Sequence, residues 1–304
     1  MNEAATFAED WLALREPADH RARSRDLTRR FAAGLPRMGG GGVRLVDLAA
    51  GSGANLRFLA PALAAVGAVE QSWRLVDRDR ALLDAAMVAC GGWASARGWR
   101  LARAPNGFSI DAGSWRAEVC CEPTDLALAF DGFALRAGEA VVASALLDLV
   151  SQAWIESLVS LCRRSGAPLL VTISDDGALG LRPAHAEDEA MRSLFAAHQR
   201  RDKGFGPALG PAAPRVLAVT FRRHGWDALV RRSPWRLGAC STALQSRTLA
   251  GIATAAAEQD PRRAGRIAAW LDARLQQAQE GRLRLVVGHR DVLAQPSIQA
   301  RTRR

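Results

Sequence analysis

The stretch "VRLVDLAAGSGANLRFLAP", residues 43–61, decides the fold. An apolar run ends near Asp47, a turn with two glycines follows, and apolar residues then recur at helical spacing. A second apolar run, "WRLVD" at 73–77, ends in Asp77. In an open parallel sheet, ligands bind outside the carboxyl ends of the strands. We therefore expect the glycine turn and Asp77 to face the same ligand.

The rest of the chain continues this strand–helix alternation. Near-continuous apolar runs are typical of parallel strands buried on both faces. Such runs lie at 116–121, 140–147 and 167–174, with helix-compatible segments at 55–66, 80–96 and 151–164 between the runs. Asn106-Gly107 predicts a hairpin inserted before the third strand. The pattern predicts an α/β fold with a parallel sheet between two helical layers.

The later sequence predicts helices at 186–200 and 212–224 and a long helical stretch from 244 to 280, broken near Pro261. Two late strands, "WDALVRR" and "RLRLVV", can complete the sheet by antiparallel pairing at its edge. At the N-terminus, Phe7, Trp11 and Leu14 predict a helix that Pro17 interrupts, followed by a second helix to residue 35. We expect a helical cover over residues 1–38, a main domain over 43–292, a substrate-side lid at 181–224 and a disordered tail at 296–304.

Composition narrows the class of protein. The net charge is +10, but the arginines are spread along the chain, so a solvated basic surface is favoured over a nucleic-acid site. No apolar run reaches the ~18 residues that a membrane span needs, and the acidic N-terminus does not resemble a signal peptide. The five cysteines form no CxxC pair, which indicates free thiols and no zinc site. We expect a cytoplasmic protein without a metal.

A glycine turn with a ribose-binding acid at the next strand indicates a cofactor that contains adenosine. A dinucleotide fingerprint needs a third glycine, G-x-G-x-x-G, where this chain has Leu56. Asp47 has no role toward a pyrophosphate, but it suits a cofactor that carries a positively charged group. These residues favour S-adenosylmethionine over NAD, and an NAD-dependent oxidoreductase stays as the weaker enzyme alternative.

The segment "DLAAGSG" at 47–53 resembles the first motif of the class I S-adenosylmethionine-dependent methyltransferases, D-x-G-x-G-x-G. It departs from the motif at Ala49, which alanine tolerates if its φ angle stays negative. The resemblance covers about residues 43–290 and implies a Rossmann-like, doubly wound, seven-stranded sheet, mostly parallel with a late antiparallel strand. It also implies that Asp77 binds the ribose and that Asp125 in "PTDLA" contacts the adenine amine.

The cofactor-binding residues expected from this resemblance lie after the first four strands: Asp47, Ala49, Gly51, Ser52, Gly53, Asn55, Asp77, Arg78, Thr124, Asp125, Leu126, Ser144 and Ala145. Two of them have alternatives. Asp125 could cap the following segment instead, in which case Glu122 is the next candidate for the adenine. Asp77 could be a structural turn acid.

The acceptor side of the site is less defined by the sequence. The glycine-rich loop "HQRRDKGFGPALG", residues 198–210, suits a cover over a substrate, with Arg201, Lys203 and Phe205 as substrate contacts. His198 and Asp148 are the candidate catalytic residues. His198 could equally end an amphipathic helix facing the core, and Asp148 could be a solvated acid at a helix start. Trp11 and Arg15 could close the pocket from the N-terminal helix.

The resulting hypothesis is a methyltransferase that acts on O or N of a small-molecule acceptor by in-line displacement. No fixed catalytic constellation is required, because the sulfonium methyl group is already activated. An RNA or protein methyltransferase and a non-catalytic S-adenosylmethionine-binding protein stay open as alternatives. The sequence gives no indication of the oligomeric state.

Overall fold

The computed structural model describes residues 9–128 and 130–297. Within these ranges, ten strands form one sheet in the order β3-β4-β5-β2-β1-β6-β7-β10-β8, with β9 paired to β10. The strands are β1 Val43–Leu48, β2 Glu70–Asp77, β3 Arg100–Ala104, β4 Gly107–Asp111, β5 Arg116–Pro123, β6 Glu139–Ser144, β7 Leu169–Arg182, β8 Trp226–Arg232, β9 Trp235–Leu237 and β10 Arg284–Pro296.

The predicted Rossmann-like fold class is confirmed, with a correction to its strand count. Strands β5, β2, β1, β6 and β7 are parallel, and β10 lies antiparallel between β7 and β8. The expected seven strands are present. The described residues form three more strands. The Asn106-Gly107 hairpin adds β3 and β4. The third is the short strand β9, which pairs with β10 and which the sequence analysis missed.

Nine α-helices of the described chain pack around the sheet. They are α1 Glu9–Ala22, α2 Arg25–Gly34, α3 Ala54–Ala64, α4 Arg80–Ser95, α5 Gln152–Ser165, α6 Asp188–Gln199, α7 Ala213–Arg223, α8 Thr242–Gln259 and α9 Ala264–Gln279. Helices α2, α3 and α4 bury apolar residues against one face of the sheet. Helices α5 and α7 cover the other face. This is the two-sided cover that near-continuous apolar strands require.

A third apolar cluster lies beyond the main sheet. Strands β7 and β10 continue as an antiparallel ladder from Ala294–Leu169 to Arg284–Arg182, and α6, α8 and α9 pack on this extension. Arg274 of α9 is fully buried there, and its Nη2 donates to both carboxylate oxygens of Asp188 at the start of α6. The long ladder therefore carries a helical subcluster beside the sheet.

The N-terminal helices differ from the expectation. Pro17 does not interrupt a helix but lies inside α1, and the break falls between α1 and α2, where Ser24 caps α2. Phe7 and most of the expected tail lie outside the described residues. Pro296 still belongs to β10, so the tail cannot begin there. No helix of the described residues is long and apolar enough to cross a membrane.

Candidate active site

A pocket opens at the carboxyl ends of β1, β2, β5 and β6. Nine of the expected cofactor residues line it: Ala49, Gly51, Asp77, Arg78, Thr124, Asp125, Leu126, Ser144 and Ala145. Residues that the sequence analysis did not assign complete the wall: Leu12, Asp79, Leu82, Leu146 and Leu149. Asp79 is adjacent to a predicted residue, but Leu12 belongs to α1 and only the tertiary structure places it here.

Asp77 accepts hydrogen bonds from the chain segments that follow β1 and β2 at this pocket. Its Oδ2 accepts a hydrogen bond from the Gly51 N–H at 2.8 Å, and its Oδ1 accepts one from the Asp79 N–H at 3.0 Å. Burial raises the pKa of Asp77 above its usual value, against the effect of these two hydrogen bonds. Each carboxylate oxygen keeps a further lone pair, so Asp77 can accept two more hydrogen bonds from a ligand.

The turn after β1 holds three motif residues in left-handed conformations: Ala49, Gly51 and Gly53. Gly51 has φ +52°, and a Cβ there would lie 3.2 Å from Leu12. Ala49 has φ +53°, so the expectation of a negative φ at Ala49 is wrong. A non-glycine residue in this region is strained by roughly 1–2 kcal/mol. The family motif has glycine at this position, and here the chain retains the conformation without the glycine.

Four of the expected cofactor residues are buried and do not line the pocket. They are Asp47, Ser52, Gly53 and Asn55. The Asn55 amide donates to Asp47 Oδ1 at 2.7 Å, and its own Oδ1 accepts a hydrogen bond from Arg23 at 2.6 Å. Burial raises the pKa of Asp47 to about 7, while Asn55 and the positive charge of Arg23 oppose this. The cation near Asp47 is therefore Arg23 of this chain, which also donates to Ser144 at 3.2 Å.

The two adenine candidates are placed differently. Asp125 lines the pocket, and its Oδ1 accepts the Ala127 N–H at 2.8 Å, so it caps the local turn and faces the pocket at once. Glu122 instead forms an ion pair with Arg74 at 3.3 Å and does not line the pocket. The geometry favours Asp125.

The far end of the pocket is closed by α1 and by the glycine-rich loop. Arg15, Lys203 and Phe205 line it there. Phe205 packs edge-on against Trp154, with 5.9 Å between ring centroids. Burial, followed by the positive charge of Arg201, lowers the pKa of Lys203. The loop thus places one lysine and one aromatic ring beside the cofactor pocket.

His198 and Arg201, both predicted to act on the acceptor, lie outside this pocket. His198 Nε2 lies 2.9 Å from Glu258 Oε2, and its Nδ1 lies 3.5 Å from Lys203 Nζ. Arg201 is exposed and pairs with the same glutamate at 3.5 Å. His198 does not face the core, and its position beside Lys203 connects the loop to α8.

Asp148 lies behind the pocket wall, next to Asp175. The backbone N–H of Asp175 donates to the Asp148 carboxylate, and burial raises the pKa of Asp148. Burial and the nearby Asp148 charge raise the pKa of Asp175 to about 7. Asp148 lies in the short 3-10 helix Leu147–Leu149 after β6, and it forms a half-buried, hydrogen-bonded pair with Asp175 of β7.

The fold and the site agree with one architecture. Three features implied by the family resemblance occur together: a glycine turn after the first strand, an acid at the end of the second, and a late strand inserted antiparallel between two parallel ones. The chain has the class I methyltransferase fold. Within the described residues, no group of three or more histidine, cysteine, aspartate or glutamate side chains could hold a metal ion.

Comparisons with known proteins give distant structural matches. No protein-family model and no curated protein sequence matches the chain. A cyclopropane synthase of Mycobacterium tuberculosis is 12% identical, with TM-score 0.47 and 95% of each chain covered. An S-adenosylmethionine-dependent methyltransferase from Thiobacillus denitrificans, in complex with S-adenosyl-L-homocysteine, is 15% identical, with TM-score 0.41 and coverage of 95% of this chain and 99% of the other. A similar enzyme from Geobacter sulfurreducens, in the same kind of complex, is 14% identical, with TM-score 0.41 and the same coverage.

Proposed function

We propose that this protein transfers a methyl group from S-adenosylmethionine to an oxygen or nitrogen atom of a small-molecule acceptor. One observation carries the proposal: a single pocket brings together the glycine turn after β1, Asp77, Asp125 and Ser144. These groups come from the carboxyl ends of four neighbouring parallel strands, the place where open α/β sheets bind ligands.

The residues present fit an adenosyl cofactor. Asp77 retains acceptor capacity for a ribose diol, and Gly51 leaves space that a Cβ would fill. Asp125 lines the same pocket and is our candidate to accept a hydrogen bond from an adenine amine. Arg15 and Ser144, at the other end of the pocket, are candidates for the amino-acid part. When bound, the cofactor supplies a methyl group on a positively charged sulfur, which is already activated for displacement.

The chain itself must then position an acceptor, exclude water and take up the acceptor proton. Leu12, Phe205 and the expected lid segment 181–224 supply the apolar cover that excludes water. Asp175, with a pKa of about 7 and Asp148 beside it, is the group suited to take a proton from a hydroxyl or ammonium acceptor near neutral pH. Lys203 and His198 hold the loop over the pocket.

Calorimetric titration with S-adenosyl-L-homocysteine, with NADH in parallel, tests the cofactor assignment. We expect the wild-type protein to bind S-adenosyl-L-homocysteine, and Asp77→Ala to weaken binding by about 1–3 kcal/mol through the lost charge-assisted hydrogen bonds. Asp84→Ala, an exposed acid on α4, is the matched control and should bind like the wild type. Lys203→Ala should largely keep cofactor affinity, because Lys203 is assigned to the acceptor side.

Binding of NADH without binding of S-adenosyl-L-homocysteine would contradict the proposal. Unchanged affinity in Asp77→Ala would refute the ribose assignment while leaving the choice of cofactor intact.

A further inference from the structure

A second cavity lies beside the cofactor pocket, between α1, α6, α8 and the β7–β10 ladder. Its volume is about 510 Å³, which is within the usual range for small-molecule sites. Apolar side chains form most of its wall, among them Trp11, Phe195, Ile252 and Val287. We refer to it as the α6–α8 cavity.

Gly251 lies at the centre of the α8 wall of this cavity. Residues one turn before and after it, Arg247 and Ala255, line the cavity too. A glycine inside a helix is unfavourable relative to alanine. The backbone here does not require glycine, because its φ is not positive and a Cβ would meet no atom within 4 Å. A larger residue at this position would extend into the open space.

Both arginines that line the cavity have ionic partners, and the Nε–H of Arg192 and Oε1 of Gln199 are buried without a hydrogen-bond partner among the described residues. Arg192 pairs with Glu189 at 2.9 Å, and Arg247 pairs with Asp10 at 3.2 Å. Gln199 donates its amide to Asp175, while its buried Oε1 accepts no hydrogen bond from the described residues. A ligand therefore meets apolar walls, a place for one hydrogen-bond donor at Gln199 and one for an acceptor at Arg192, and arginine charges that already have partners.

The cavity and the cofactor pocket are neighbours at two places in the fold. Trp11 lines the cavity, while Leu12 and Arg15 of the same helix line the pocket. Asp175, a hydrogen-bond acceptor of the cavity, contacts Asp148. In the chain, Asp148 lies between Leu146 and Leu149, which line the cofactor pocket. The hydrogen-bond acceptors of the cavity therefore lie on the side next to the pocket. The polar end of a molecule in the cavity would thus lie on the side next to the cofactor pocket.

We propose that the α6–α8 cavity binds the methyl acceptor, and that the acceptor is an uncharged, largely apolar small molecule that presents one hydroxyl or aryl amine N–H to Asp175 and Gln199. This rests on the proposed function for its link to methyl transfer. The binding site itself can be tested without activity.

The probe for the test is N-phenyl-1-naphthylamine, a neutral apolar fluorophore with one N–H donor. We expect saturable binding of one probe per chain, and at least tenfold weaker binding by Gly251→Trp. The matched control is Gly265→Trp, another exposed helix glycine with open space at its Cβ that does not line the cavity. It should bind like the wild type. Gly251→Leu gives a smaller obstruction if the tryptophan variant does not fold, which melting curves report.

The donor requirement has its own comparison. N-methyl-N-phenyl-1-naphthylamine lacks the N–H, so we expect the wild type to bind it severalfold more weakly than it binds N-phenyl-1-naphthylamine. In Gln199→Leu the difference in affinity between the two probes should be smaller. Equal binding of both probes would overturn the hydrogen-bond assignment.

S-adenosyl-L-homocysteine titrations of the same proteins separate the two proposals. Unchanged probe affinity in Gly251→Trp, absence of saturable binding by the wild type, or displacement of the probe by S-adenosyl-L-homocysteine would each overturn the cavity proposal. Failure of S-adenosyl-L-homocysteine to bind would overturn the proposed function instead, whatever the probe does.

Discussion

The Asp77 carboxylate at the end of β2 holds the backbone N–H of Gly51 in the turn after β1, at 2.8 Å. This hydrogen bond holds the glycine turn next to Asp77, the acid that is proposed to bind the ribose. Because this hydrogen bond is made within the protein, it preorganises the two groups for a ligand. Changes to either residue should affect stability and cofactor affinity together.

Gly51→Ala should lower the free energy of unfolding by about 1–2 kcal/mol, because φ +52° is a left-handed conformation that alanine resists. It should also weaken binding of S-adenosyl-L-homocysteine, since the turn faces the pocket. Gly91→Ala, at an α4 position with open space, is the control and should stabilise by about 0.5–1 kcal/mol. Urea denaturation and calorimetry measure both effects. A Gly51→Ala variant as stable as the wild type would show that the turn is not constrained.

Ala49→Gly should act in the opposite direction and raise stability by roughly 0.5–1 kcal/mol, because glycine relieves the strain at φ +53°. Ala50 is the neighbouring control. Its φ is not positive, so Ala50→Gly should destabilise the protein by about 0.5–1 kcal/mol. Denaturation midpoints compare the two variants, and a loss of stability in both would show that Ala49 is not strained.

Asp188→Asn should destabilise the protein by at least ~3 kcal/mol, because it leaves the charge of Arg274 buried without its ionic partner. Burial opposes ionisation of Asp188, but hydrogen bonds from Arg274 and Trp270 outweigh it and lower its pKa. The stabilisation is therefore present above the unfolded pKa of about 3.9 and is lost as pH falls through the folded value. The difference between wild type and variant should shrink below pH 4.

The control for this pair is Glu189→Gln, which removes an exposed partner of Arg192 and should change stability by less than ~1 kcal/mol. Chemical denaturation from pH 3 to 7 measures both variants. A difference between wild type and Asp188→Asn that does not vary with pH would mean that the lost ion pair is not its cause.

Asp175→Asn should make the protein more stable at pH 8 by about 1–3 kcal/mol. Burial and Asp148 raise the pKa of Asp175 to about 7 from its ordinary value. Protonated Asp175 contributes to the free energy of unfolding of the wild type. This contribution is fully present below the unfolded pKa of about 3.9 and is lost as pH rises through 7. The gain in the variant should therefore appear between pH 4 and pH 7 and stay level above.

The exposed residue Asp227 provides the control, and Asp227→Asn should leave the pH profile of the wild type unchanged. Thermal melts across pH 4–9 follow both variants. If Asp175→Asn were less stable than the wild type at pH 8, the hydrogen bond that Gly177 donates to the carboxylate would outweigh the cost of burying its charge.

The sequence alone predicted the strand–helix alternation, the hairpin at Asn106-Gly107 and the residues at the ends of β1, β2, β5 and β6. These features depend on local periodicity, turn chemistry and the rule that parallel strands end at one edge. The position of Asp77 beside Gly51 follows from that rule.

Other features were decided by the tertiary structure, because they depend on packing between segments far apart in the chain. Ala49 has a left-handed φ that alanine disfavours, so its residue type did not predict this conformation. Asp47 lies near Arg23, a residue of the segment between α1 and α2, and its amino-acid type gave no indication of this position. The α6–α8 cavity lies between three helices and the β7–β10 ladder, whereas the sequence shows only separate helical and strand segments.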